Sequence, residues 1–314
     1  MSEPTEQWER GVLETLASGV LREQRAARRW KIFFRLLTFF YIGVVLVILL
    51  DLRGKTELTG TSKHTALVDV SGIIGPGADA SAEKINAALQ AAFKDGNTKG
   101  VVVRINSPGG SPVQAQSIYD EMRRLRTKYP NIPLYAVVED ICASGGYFVA
   151  AGADRIYVGK ASIVGSIGVR MDGFGATGLM QKLGIERRLL TAGANKGFLD
   201  PFLPSDEKQK QHAQAMLNEI HQQFIAVVRE GRGTRLKDRP DLFSGLVWTG
   251  EKSIALGLAD SVGSLEQVAR DVIQAEEIVD FTQKENLAEK VARRFGAGAA
   301  SAVLNLNAQS PAIR

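Results

Sequence analysis

Two glycine-bearing turns hold the residues best placed for chemistry. Asn106-Ser107-Pro108-Gly109-Gly110 follows the apolar run VVVRI, and Cys142-Ala143-Ser144-Gly145-Gly146-Tyr147 follows LYAVV. A serine where a strand turns into a helix presents its hydroxyl at a helix N-terminus, where developing negative charge is favoured. The N–H of Gly145, with one from the Gly109-Gly110 turn, could hold the oxyanion of a tetrahedral intermediate. Such donors are commonly worth about 3 kcal/mol each. Each turn alone has a plainer reading, because serine is a good N-cap and Pro-Gly-Gly is a good turn. Their pairing at the ends of successive buried strands is what favours a site, since ligands collect at such ends.

A hydroxyl nucleophile needs a base. The three histidines are His64, His212 and His221. His64 falls in a polar linker, and His212 and His221 fall on a long polar-faced helix where solvated or packing roles are the default. A Ser–His–Asp triad is therefore not expected. A lysine can serve where burial keeps its amine uncharged. Lys160, Lys182 and Lys196 are the candidates. Lys160 starts a loop after a strand and Lys182 sits beside Gln181, so both read as solvated. Lys196 lies in AGANKGFLDPF, a loop with few charges. A surface charge is the ordinary role of any single lysine. The single cysteine, Cys142, excludes an intrachain disulfide and reads as a small buried residue rather than a nucleophile.

The elements that must carry these turns alternate strand and helix. Strands are expected at 65–70, 101–105, 134–138, 155–158 and 187–191. Helices are expected at 81–94, 112–129, 144–152, 205–230, near 250–257 and near 264–275. The long helix at 205–230 is started by Ser205-x-x-Lys208 with acids in its first turn. Continuous β-branched runs such as VVVRI indicate strands buried on both faces. The alternation implies an α/β fold with parallel sheets and right-handed crossovers. With 314 residues and 45% hydrophobic composition, the chain can build one large or two modest cores. Net charge is +5, but no aromatic-interleaved basic patch follows the N-terminal region, so nucleic-acid binding is not expected.

Residues 36–50, LLTFFYIGVVLVILL, carry no charge and follow a basic cluster ending in Lys31 and Arg35. Extended back through Ile32, the run reaches about 19 residues, enough for a membrane anchor. A signal peptide would have a short basic start and a small-x-small cleavage site. The sequence after Leu50, DLRGKTEL, has none. The basic side faces the cytoplasm in such an anchor.

Taken together, VVVRINSPGGS, CASGGYFVAAGADRIYV, SIVGSIGV and TAGANKGFLDPF resemble the short bacterial form of the signal peptide peptidase A family. The resemblance spans roughly residues 65–262 and extends to motif order and to the spacing of Ser144 and Lys196. It implies a ClpP/crotonase-like fold and a Ser–Lys peptidase without metal or cofactor. Ser144 would be the nucleophile, Lys196 the general base, and Ser166 the residue that hydrogen-bonds the lysine amine. Gly110 and Gly145 would hold the oxyanion. It further implies clearance of signal peptides and similar apolar peptides at the outer face of the cytoplasmic membrane, with no nucleic-acid partner. Homo-oligomers are implied in which Ser and Lys could come from neighbouring subunits. The expected organisation is a cytoplasmic basic segment at 1–31, a transmembrane anchor at 32–51, a linker at 52–64, a peptidase domain at 65–282 and a tail at 283–314. The rivals are an acyl-CoA enzyme of the same superfamily using Glu139 or Asp140, and a non-catalytic membrane scaffold.

Overall fold

The computed structural model describes residue 24 and residues 28–46, 62–237 and 239–283. Residues 28–46 are helical. Among the described residues no helix is long and apolar enough to cross a membrane. The expected anchor at 32–51 ends outside the described residues, as do most of the expected linker and tail.

Residues 62–283 belong to one compact unit. Its strands are β1 (His64–Ser71), β2 (Thr98–Ser107), β3 (Leu134–Ala143), β4 (Arg155–Val158), β5 (Ile163–Gly165), β6 (Val247–Thr249), β7 (Ser261–Val262) and β8 (Ile278–Asp280). They form a sheet in the order β6-β5-β3-β2-β1-β8 that branches at β3. Residues Tyr135–Val138 of β3 pair with β4, and Ile141–Ala143 pair with β5. All of these pairings are parallel except β5–β6. A mixed α/β sheet of largely parallel strands is the expected class.

The β-branched runs are buried on both faces, as their composition requires. Val101 and Val103 join the main core with α1 (Ala82–Lys94) and α2 (Pro112–Lys128), through Leu89, Phe93, Ile118 and Met122. Val102 and Val137 face a smaller core closed by Leu265 and Val268. Between the strands lie α3 (Gly145–Ala150), α4 (Thr177–Leu183), α5 (Glu207–Arg232), α6 (Gly250–Ala255) and α7 (Leu265–Gln267), the last continuing as a π-helix over Val268–Ile273.

Three expectations need correction. The run RRLLT at 187–191 is not a strand. It is exposed coil with Leu190 98% accessible, because among the described residues no strand completes its hydrogen bonds and β propensity alone does not hold a strand. His64 is not linker but the first residue of β1. Its ring is buried, Nδ1–H donating to the Ser62 carbonyl at 3.0 Å and Nε2 accepting from the Thr98 hydroxyl at 3.3 Å. The cap of α5 is Asp206 rather than Ser205, its carboxylate accepting from the N–H groups of Lys208 and Gln209 at 2.8 and 3.0 Å.

Candidate active site

Ser144 stands between the end of β3 and the start of α3, with φ 52° and ψ −123°. A non-glycine residue held at positive φ is strained, and such strain collects at functional sites. Two hydrogen bonds hold it there. Its N–H donates to the Gly165 carbonyl at 2.8 Å, and its carbonyl accepts from Phe148 N–H at 3.0 Å. The side chain caps no helical N–H, so Oγ is left to the half-buried cavity beside it.

The Gly109-Gly110 turn packs directly on this elbow. A Cβ on Gly109 would come within 2.7 Å of both Gly145 N and Ser144 Cβ, and one on Gly110 within 2.0 Å of the Ile74 carbonyl oxygen. Both residues have positive φ, 103° and 152°. Only glycine fits such a conformation under backbone at this range. The turn is fixed by Ile74 N–H donating to Gly109 O (2.9 Å) and Ser111 N–H donating to Ile74 O (2.8 Å). Ser107 Oγ accepts from Gly109 N–H at 3.1 Å and donates to Gly72 O at 2.6 Å. Gly110 N lies 3.2 Å from the position a Cβ on Gly145 would take. Two peptide N–H groups free of backbone partners among the described residues thus sit side by side next to Ser144.

Gly110, Ser144, Gly145 and Ser166 line one cavity of about 1040 Å³. Ser166 also has φ 52°, and its N–H donates to Leu246 O at 2.8 Å. The apolar wall comes from Phe148 on α3 and from Ile220 and Phe224 on α5. This contribution of α5 escaped the sequence reading, although Ile220 and Phe224 stand at i,i+4, the spacing of one helix face.

The structure does not place Lys196 with these groups. It lies on an exposed turn, its N–H bonded to Gly193 O at 3.1 Å, and it does not line the Ser144 cavity. Lys160 and Lys182 are exposed as well. Cys142 is fully buried behind the elbow, and burial pushes its thiol well above the usual range, so it holds no thiolate. Glu139 faces a different cavity, beside Arg104 and Gly263. Asp140 accepts from Asn106 Nδ2 at 3.2 Å. Among the described residues no cluster of His, Cys, Asp and Glu could hold a metal ion.

Comparison with known proteins identifies the family. Residues 126–279 match Peptidase family S49 and residues 66–163 match Clp protease. A candidate protease of Synechocystis sp. is 31% identical over 211 residues, covering 66% of this chain and 73% of that protein. The chain belongs to peptidase family S49. The chloroplastic serine protease SPPA of Arabidopsis thaliana is 28% identical over 227 residues, 67% of this chain and 32% of that protein. The Na(+)/H(+) antiporter NhaA of Brucella abortus (strain 2308) is 45% identical over 182 residues, 58% of this chain. The S49 chain spans only 25% of that protein's length.

Proposed function

We propose that this S49 chain is a serine peptidase in which Ser144 is the nucleophile and Lys196 the general base. The observation that carries the reading is the strained Ser144 elbow set against the paired N–H groups of Gly110 and Gly145. Lys196 takes the Ser144 hydroxyl proton as Oγ attacks a peptide carbonyl carbon. The oxyanion rests on the two N–H groups, which bind it more tightly than the ground-state carbonyl. The C–N bond then breaks, and the leaving amine takes the proton back from Lys196. Water attacks the resulting ester with Lys196 again as base, releasing the acid and restoring the Ser144 hydroxyl. Ser166, on the same cavity wall, orients the lysine amine.

Within one chain Lys196 is exposed, so a neighbouring copy completes the dyad. The exposed apolar side chains around its loop support an assembled state, Phe174 and Leu190 being 74% and 98% accessible in the lone chain. The apolar cavity wall supports apolar peptides as substrates, cleaved signal peptides among them. The uncharged run at 36–50 behind a basic cluster supports an anchor with the catalytic unit outside the cytoplasm. The acyl-CoA alternative is less favoured because neither Glu139 nor Asp140 lines the Ser144 cavity.

The test is labelling by a fluorophosphonate probe together with cleavage of a fluorogenic apolar peptide. Wild-type protein is expected to label at Ser144 and to cleave. Ser144→Ala and Lys196→Ala are expected to lose at least about a thousandfold in kcat/KM, with an unchanged far-UV circular dichroism spectrum. Retained cleavage in Lys196→Ala assigns the base elsewhere.

A further inference from the structure

The segment after Ser166 forms one side of the Ser144 cavity through Gly168, Val169 and Arg170. From 167 to 175 it has neither helix nor strand. Its ends are tied by Ser166 N–H to Leu246 O and by Ala176 N–H to Pro201 O at 2.7 Å. Between those ties, among the described residues, one hydrogen bond joins it to another element. His221 Nε2 lies 3.3 Å from the Ile167 carbonyl oxygen. A carbonyl only accepts, so Nε2 carries the proton. Ile167 is fully buried, and removing the donor would leave its carbonyl without a partner away from water.

The platform behind His221 is rigid. Phe224 and Val228 bury the next turns of α5 in the core, and the Phe224 ring packs at a tilt on Phe148, their centroids 5.0 Å apart. The helix end is clamped by Arg232, whose guanidinium donates to Asp260 through two nitrogens at 2.9 Å each. His221 does not itself line the cavity.

We propose that His221 is a positioning residue: through the Ile167 carbonyl it sets where Ser166 and the adjoining wall stand relative to Ser144. The proposal rests on the peptidase reading above, in which that wall receives substrate. Loss of the bond therefore reaches the reaction through the segment, not through acid–base chemistry on the imidazole.

The experiment compares His221→Gln, which keeps a side-chain N–H donor, with His221→Met, which has none. Glutamine and methionine are close in size and both are good helix formers. Full-length proteins are assayed on a fluorogenic leucine-rich peptide, with fluorophosphonate labelling and thermal melting in parallel. The Met variant is expected to lose about tenfold in kcat/KM, the worth of one such hydrogen bond. The Gln variant is expected to stay within about threefold of wild type, and both are expected to melt within about 4 °C of it. A Met variant as active as wild type, or a Gln variant as slow as the Met variant, overturns the proposal. Wild-type protein that neither labels nor cleaves overturns the peptidase reading and this role with it, whereas an active wild type with an equally active Met variant overturns this role alone.

Discussion

At Ser144 and Gly110 the backbone contacts that set conformation also set the groups that the proposed chemistry uses. Ser144 is driven to positive φ by the bonds of its own N–H and carbonyl, and that conformation turns Oγ away from capping and toward the cavity. Gly110 has no room for a side chain because the Ile74 carbonyl occupies the place where Cβ would go. Gly110→Ala should therefore damage stability and activity together. An alanine at this φ must push the turn off Ile74, costing about 1–3 kcal/mol. The displaced N–H would lower kcat by about a hundredfold or more. A melting curve and steady-state kinetics on the same preparation check both halves. Gly145 is less cramped: its nearest neighbour to a hypothetical Cβ is at 3.2 Å, so the two glycines proposed to hold the oxyanion differ in tolerance.

At the scale of elements, α5 links the core to the site. Its C-terminal end holds a buried ion pair, with the Arg232 side chain fully enclosed and that of Asp260 13% accessible. Asp260 also accepts from the Ile156 N–H at 2.7 Å and from Arg235 at 3.2 Å, tying α5 to the start of β4. Burial alone would raise the Asp260 carboxyl, but the hydrogen bond and charge of Arg232, with the Ile156 N–H and Arg235, hold it below the usual value. A depressed carboxylate contributes stability that is present above its unfolded pKa, near 4, and is lost as pH falls through the lower folded value. Asp260→Asn leaves Arg232 buried without its counter-charge and is expected to cost about 3–5 kcal/mol, or roughly 10 °C in Tm. The gap between variant and wild type should be constant from about pH 5 to 8 and should shrink below about pH 4. Melting temperatures of both proteins across that range decide it, and a gap that does not close in acid would remove the ion pair as its cause.

At the scale of the whole molecule, the proposed dyad calls for a second copy of the chain. One chain leaves Lys196 exposed and outside the Ser144 cavity. Mixed under conditions that allow subunit exchange, Ser144→Ala and Lys196→Ala proteins are expected to regain cleavage. Equal mixing of two-partner sites leaves about one site in four with both residues intact when the partners associate at random. No recovery, with exchange verified by mass spectrometry, would mean that both residues act within one chain.

The amino-acid sequence alone determined the parts that depend on short-range pattern. β-branched runs marked the buried strands, helical spacing marked α1 and α2, and the two glycine turns marked the strand ends where Ser144 and the N–H groups of Gly110 and Gly145 stand. These features are local consequences of steric freedom and alternating burial. Tertiary structure decided what requires distant segments to meet. It placed His64 inside the sheet against Thr98, left RRLLT outside the sheet, and brought α5 to the cavity, where Phe224 lines the wall and His221 bonds the Ile167 carbonyl some fifty residues earlier. Lys196 shows the same division. Its loop was legible as apolar, but whether an amine is desolvated depends on what packs over it, and one chain leaves this one open to water.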